Sequence, residues 1–149
     1  MAAYFYHMTR APLETTLPVL LGKARGAGWK VLVRPGLAER AGWLDDLLWR
    51  VPPEGFLPHA LCGAPDAADE PVLIGQEAQN GAECLVSVDG AEITAAEAAA
   101  ATRVMVLFDG NDPAAVERAR DQWRALTGAG IAAQYWSQES GRWEMKAER

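Results

Sequence analysis

The chain has 149 residues and a mass of 16.1 kDa, which is the size of one domain, 1–149. Hydrophobic residues make up 50% and charged residues 23%, so a packed core is expected and the disordered class is excluded. The net charge of −6 disfavours a surface that grips phosphates by an excess of cations, and we expect little or no direct nucleic acid binding. Two cysteines, no signal-peptide pattern and no long apolar run predict a cytoplasmic protein without a membrane contact.

The first third of the chain predicts two strand–helix units. An aromatic strand over 2–7 is followed by leucines spaced as one face of a helix over 12–26. Pro18 falls inside that helix and predicts a kink or a later start, because proline removes a backbone donor. A short apolar strand over 30–34 then precedes a second helix over 37–49.

The middle of the chain, 51–71, is rich in proline and glycine and has neither helical nor strand periodicity. A loop of that length inside a compact domain is usually functional. The remaining segments predict strands over 72–75, 84–88, 104–108 and 131–137, a short alanine-rich helix over 93–101, and a helix from 113 to about 127. Asp112 and Pro113 suit the N-cap and the first position of that last helix. The charged tail, 139–149, is expected to fray unless Trp143 docks it.

Strand–helix–strand units that repeat along one chain predict a three-layer α/β/α sandwich with a mostly parallel central sheet. Such sheets often bind nucleotides, but the first strand–helix turn, HMTRAP over 7–12, contains no glycine. Phosphate-binding turns need glycine so that the backbone can approach the ligand, and no such pattern occurs elsewhere. We therefore expect no nucleotide and no other cofactor.

Catalytic and metal-binding chemistry has only weak carriers in this sequence. Asp109 and Asp112 follow a buried strand and could hold Mg²⁺, but a turn and a helix cap explain them better. His59 and Cys62 have a metal-like spacing that no second close pair completes, so His7 and Cys84 make a poor zinc set with them, and we expect no metal site. A small α/β enzyme that uses His7 and Asp109 remains the alternative function.

Six tryptophans are a heavy load for a domain of this size, and two regions stand out. In the first, Trp49 ends a helix and a proline-stiffened loop presents an apolar group together with a histidine: Phe56, Leu57, Pro58 and His59. Prolines lower the entropy lost when such a loop is held in one shape, which suits a binding surface. The spacing alone leaves this interpretation level with the alternative, in which Trp49 and Phe56 plug the end of the sandwich.

The second region is the helix after Asp112, where Arg120 and Arg124 flank Trp123 on one side. An indole beside two guanidinium groups suits a peptide that has an apolar residue next to a carboxylate. The alternative is that both arginines are solvated and pair with Glu117 and Asp121 on the same helix.

At these residues the sequence resembles the chi subunit of bacterial DNA polymerase III. The resemblance covers nearly the whole chain, and its most specific part is the LDDLLW…FLPH block within 44–59. Further matches are FYHMT over 5–9, DAADEPVL over 66–73, LFDGND over 107–112 and WRAL over 123–126. The resemblance implies a Rossmann-like domain without nucleotide chemistry, which acts as a clamp-loader accessory protein.

The resemblance also implies two partners. A site for the acidic, Phe-ending C-terminal tail of single-stranded DNA-binding protein falls on Arg120, Trp123 and Arg124. A further basic position of the family, one turn earlier, is Val116 here, so one cation is missing. The surface that contacts the psi subunit in the family falls on Trp49, Phe56, Leu57, Pro58 and His59, which favours the interface interpretation of that loop.

Overall fold

The computed structural model describes residues 2–50 and 57–149, which form one eight-stranded sheet with helices on both faces. The strands are β1 (Ala2–Met8), β2 (Val31–Pro35), β3 (Ala60–Leu61), β4 (Val72–Ile74), β5 (Cys84–Val88), β6 (Arg103–Asp109), β7 (Ala132–Ser137) and β8 (Glu144–Glu148). The α-helices are α1 (Leu13–Gly26), α2 (Arg40–Arg50), α3 (Ala95–Ala100) and α4 (Pro113–Gly128), with a 3₁₀ turn at Ala67–Asp69. The spatial order is β3-β4-β2-β5-β6-β1-β7-β8, and all pairs are parallel except β7 with β8.

The helices divide into two pairs, one on each face of the sheet. Buried leucines of α1 and α2, such as Leu17 and Leu44, pack with one set of strand side chains. Ala98 of α3 and Leu126 of α4 pack with the opposite set, which includes Phe5. The predicted α/β fold with a mostly parallel sheet between two helical layers is therefore confirmed.

Local capping explains where two of the helices begin. Asp112 accepts a hydrogen bond from the backbone N–H of Ala114 at 3.0 Å and caps α4, as predicted, and Pro113 follows it. Thr94 and Glu97 form a reciprocal capping box that starts α3. Helix α1 begins at Leu13 and contains Pro18, so the expected later start is wrong.

Two other expectations need correction, and the condition set for an ordered tail is met. The segment 51–71 is not wholly irregular, because Ala60–Leu61 pairs with β4 as the edge strand and a 3₁₀ turn follows at Ala67–Asp69. The second helix begins at Arg40 rather than at residue 37. The tail does not fray: Trp143 meets the ring of Tyr6 edge-on at 5.4 Å, and β8 pairs with β7. Trp143 thus supplies the docking contact on which the order of the tail depends.

One ion pair ties three parts of the fold together. Arg34 of β2 donates to both carboxylate oxygens of Glu97 on α3, at 3.0 and 2.6 Å, and twice to the carbonyl oxygen of Gln76, which follows β4. The hydrogen bonds from Arg34 are the main reason that the pKa of Glu97 falls from 4.5 to about 2. A carboxyl with a lowered folded-state pKa stabilises the fold above its unfolded-state pKa, and this contribution disappears as the pH falls through the folded-state value.

We expect Glu97→Gln to lower the free energy of unfolding at pH 7 by about 1 kcal/mol, because glutamine keeps the capping box but loses the charge. Denaturant unfolding from pH 7 to pH 2 measures this effect. The gap between wild type and variant should close between about pH 4.5 and pH 2. Glu14→Gln is the control, since Glu14 has no ion pair among residues 2–50 and 57–149. A gap that stays constant over this range would contradict the role of the ion pair.

Candidate protein-binding site

Helix α4 holds Trp123 against the sheet. The indole packs edge-on against Phe5 of β1, with ring centroids 5.2 Å apart, and against Tyr135 of β7 at 6.2 Å. Trp123 is only partly buried, so part of its ring remains accessible. The helix is fixed in this rotation by Ala119 and Leu126, which are buried on the sheet side. An accessible indole whose position is set by two neighbouring rings is a rigid apolar contact point.

The two arginines beside Trp123 are exposed and each is paired within the helix. Arg120 lies 3.7 Å from Glu117 and Arg124 lies 3.0 Å from Asp121, with about two thirds of each arginine side chain exposed (65% and 66%). The solvated, paired alternative therefore describes the unbound chain. Such surface pairs one turn apart stabilise a helix by only about 0.3–0.5 kcal/mol, so an incoming carboxylate can compete with them.

Tyr135 joins this group, although no local sequence signal points to it. Its hydroxyl and His7 Nδ1 share a hydrogen bond, which fixes the ring next to Trp123. Burial raises the pKa of Tyr135, while the positive charge of Arg120 acts in the opposite direction. Only the sheet register, in which Phe5 pairs with Tyr135, brings the rings of β1 and β7 under the same helix.

The missing family cation is not replaced by Arg118. The Arg118 side chain lies against Gly90 on the other side of α4, where a Cβ at residue 90 would come within 2.6 Å of its Nε. Val116, one turn before Arg120, is partly buried and packs against the core under α4. The side of α4 that carries Trp123 therefore has two arginines, Arg120 and Arg124.

The alternative catalytic pair, His7 and Asp109, shares no hydrogen bond or ion pair among the described residues. The His7 ring stacks on Phe108 at 5.1 Å and bonds Tyr135, and its Nε2 is buried without a hydrogen-bond partner among the described residues. Asp109 is exposed and accepts a hydrogen bond from the Asn111 backbone at 2.9 Å, which is the turn role expected for it. Asp109 and Asp112 line a crevice of about 1000 Å³ at the carboxyl end of the sheet, of which His7 is not a lining residue.

The turn after β1 occupies the place where nucleotide-binding folds present backbone N–H groups to a phosphate. Here the side-chain oxygen of Gln138 accepts hydrogen bonds from three consecutive backbone N–H groups, each at 3.0 Å: Thr9, Arg10 and Ala11. Gln138 itself is buried. These donors are therefore already satisfied by the protein.

The second predicted surface lies at the end of α2. Trp49 is 55% exposed, and its ring lies 4.3 Å from that of His59. His59 is buried and connects the segment before β3 to α2. Its Nδ1 lies 2.7 Å from the Leu57 carbonyl oxygen, and its Nε2 lies 3.1 Å from the Asp45 carbonyl oxygen. Pro58 is exposed and Leu57 is partly buried, whereas Phe56 lies outside the described residues.

One further apolar side chain extends this surface. Leu61 of the edge strand β3 is 38% exposed, and β3 packs beside α2. The sequence did not single out Leu61, because a two-residue strand leaves no periodic signal.

Among the described residues no group of three or more histidines, cysteines or acids is placed to hold a metal ion. No helix within that part of the chain is long and apolar enough to cross a membrane.

The geometry thus defines an α/β domain whose accessible groups, aromatic rings beside arginines and an exposed tryptophan at a helix end, suit contacts with other proteins. The family model of the DNA polymerase III chi subunit, HolC, matches residues 1–134. The chain therefore belongs to the chi subunit family, an accessory-subunit family of the replicative polymerase. No curated protein is similar enough to the chain to count as a match.

Proposed function

We propose that the chain is a non-catalytic accessory subunit that links the clamp loader of DNA polymerase III to single-stranded DNA-binding protein. It does so by holding the acidic, Phe-ending C-terminal tail of that protein. The observation that carries this proposal is the packing of Trp123 against Tyr135 with two exposed arginines on the same side of α4. Family membership supports the role in replication, and the geometry supports a peptide ligand of this chemistry.

In the proposed complex, Arg120 and Arg124 donate charge-assisted hydrogen bonds to tail carboxylates. Their bonds to Glu117 and Asp121 are exchanged for bonds to the peptide, so the net gain for each arginine is a fraction of a full ion pair. The terminal aromatic ring of the peptide packs against Trp123 and Tyr135, where it loses contact with water. Such a small and partly charged interface should bind with a Kd on the order of micromolar and weaken with salt.

The double variant Arg120→Ala, Arg124→Ala should weaken binding of the tail peptide by about tenfold or more, because both carboxylate donors are lost. Fluorescence anisotropy with a labelled peptide measures the change. Arg118→Ala removes one arginine from the opposite side of α4 and should leave the Kd within about twofold. Equal affinity of the double variant and wild type would refute the assignment of the tail site.

A gain of affinity is expected where the sequence lacks the family cation. Val116→Lys should tighten tail binding by about three- to tenfold at low salt, because the new ammonium group lies one turn before Arg120 on the same side. The gain should shrink as the ionic strength rises from about 50 to about 300 mM. Over this range the Debye length falls from above about 10 Å to below about 8 Å, so that the new charge is screened more strongly. Val116→Met controls for the change in side-chain size. A lysine variant that binds no more tightly than the methionine variant would place the tail elsewhere.

Within the same proposal, the surface around Trp49 contacts a second subunit, of the psi type. Its accessible members among the described residues are Trp49, Leu57, Pro58 and Leu61, and the buried His59 supports Trp49 from behind. Phe56, which the resemblance adds to this surface, lies outside the described residues. An indole that is 55% exposed at a helix end, beside a histidine anchored by two backbone carbonyls, is typical of an interface hot spot. This surface belongs to α2 and β3, whereas the tail site belongs to α4 and β7, so the chain can hold both partners at once.

Trp49→Ala should remove most of the binding energy of that second subunit, about 2 kcal/mol or more. The tagged chain is purified from the cells that produce it naturally, and the subunits that accompany it are quantified by mass spectrometry. Leu37→Ala truncates another exposed apolar side chain, away from this surface, and serves as the control. The Trp49→Ala variant should lose one stoichiometric partner and keep tail binding. Retention of every partner at wild-type ratios would exclude Trp49 as the contact.

The enzyme alternative draws no support from the geometry. Asp109 serves its own turn, and the His7 ring is enclosed by Phe108 and Tyr135 on the side of α4. Neither residue contacts the other through a hydrogen bond or ion pair among the described residues. We therefore assign His7 to the support of Tyr135 within the proposed tail site.

A further inference from the structure

The family match ends at residue 134, but the sheet continues. The segment 135–149 forms the second half of β7 and all of β8, the one antiparallel strand among the described residues. Strand β8 lies directly beside β7 and therefore beside Tyr135, the ring that packs against Trp123. What this addition contributes to the chain can be read from its register.

The register places Ala147, and Arg149 just after β8, on the face that carries α4. An irregularity between Tyr135 and Trp136 skips Lys146, so that Met145 lies opposite Trp136 on the other face. Ala133 and Arg149 exchange both backbone hydrogen bonds, at 2.9 and 2.8 Å, and Tyr135 lies opposite Ala147. Residues directly opposite each other in an antiparallel pair point to the same face. Ala133 belongs to the core under α4, and Tyr135 packs against that core. Ala147 and Arg149 therefore lie on the α4 face, and both are exposed.

We define the groove as the strip of sheet that runs from Tyr135 to Ala147 beside α4. Its wall is the side of the helix that carries Trp123 and Arg120, and its floor runs outward from Tyr135 to Ala147. A methyl group at residue 147 leaves the outer side of the Tyr135 ring uncovered, whereas a longer side chain there would fill the groove. Because Tyr135 and Trp123 form its inner end, the groove is continuous with the proposed tail site.

Charge gives the groove a direction. Its first end lies where α4 runs into β7, since the Ile131 N–H bonds the Leu126 carbonyl, and it carries Arg124 and Arg149. Arg149 has no side-chain ion pair among residues 2–50 and 57–149. The other end carries Glu144, which lies opposite Ser137. An acidic peptide in this groove would place its carboxylates at the arginine end.

We propose that β8 is part of the tail site in this chain: Ala147 leaves room for an apolar side chain of the peptide beside Tyr135, and Arg149 takes a tail carboxylate. This inference depends on the proposed function and deepens it, since it adds residues from beyond the family match to the same site. Arg149 then compensates in part for the cation that is absent at Val116. The occupant is an acidic peptide with an apolar terminus, as in the proposed function.

Two faces of the same strand provide the test. Ala147→Glu puts a bulky negative charge into the groove and should weaken binding of the labelled tail peptide by about tenfold or more. Arg149→Ala should weaken it by about two- to fivefold. Met145→Glu introduces the same charge on the opposite face, where Met145 is exposed opposite Trp136, and should change the Kd by less than about twofold. Thermal unfolding of each variant verifies that β8 remains folded.

The outcomes separate this inference from the proposed function. If Ala147→Glu binds like wild type while the Arg120 and Arg124 double variant does not, the tail site stands and the role of β8 is wrong. If neither change affects binding, both are wrong. Backbone amide shifts of the unsubstituted chain, followed by NMR during addition of the peptide, give an independent reading. Shifts at Ala147 that exceed those at Met145 support the proposal, and shifts restricted to α4 overturn it.

Discussion

The packing of α4 against the sheet is the constraint on which both the fold and the candidate site depend. The chain leaves β6, passes over β1 and returns as β7, so α4 must cover β1 while it connects its two neighbours. Ala119 permits close approach of the helix, Leu126 fills the core, and Trp123 meets Phe5 and Tyr135. Because the sheet side of α4 is fixed, Arg120 and Arg124 project from its solvent-exposed side. The position of the proposed binding surface thus follows from how the core packs. Trp123 is held by its contacts with Phe5 and Tyr135, whereas exposed arginine side chains alone would not be held in place.

Electrostatics on this acidic protein work through local arrangement rather than through total charge. The net charge of −6 coexists with a helix side on which two guanidinium groups flank aromatic rings. The carboxylates of Glu117 and Asp121 hold these groups in the unbound state and keep the local field small. In the proposed complex, a ligand gains from both features of this surface, since its carboxylates exchange with Glu117 and Asp121 and its apolar group packs against the rings. Selectivity for such a peptide follows from weak individual contributions that must act together.

Much of this fold could be predicted from local sequence signals. The apolar run of β6, the Asp112–Pro113 start of α4 and the helical period of Leu17 and Leu44 each state their structure within a few residues. Strands β3 and β8 could not be predicted in this way. Two residues of β3 carry no period, and β8 alternates charged with small side chains, so pairing with β7 and the contact between Trp143 and Tyr6 decide its structure. Likewise, Arg120 and Trp123 are neighbours along one helix, whereas Tyr135 joins them only through the sheet register.

The hydrogen bonds of Gln138 have a consequence for what this architecture can bind. Three adjacent amides after β1 converge on one oxygen, as they would in an oxyanion nest, but the oxygen belongs to a buried glutamine side chain. A built-in amide thus plays the part of the phosphate, which lets the turn keep this geometry without the glycines that close approach of a large anion demands. The same hydrogen bonds join the turn before α1 to the residue after β7. The position at which other folds of this topology bind a cofactor is therefore occupied here by an internal contact. Because the three N–H groups are already bonded within the chain, this turn could offer them to a ligand only by giving up its bonds to Gln138.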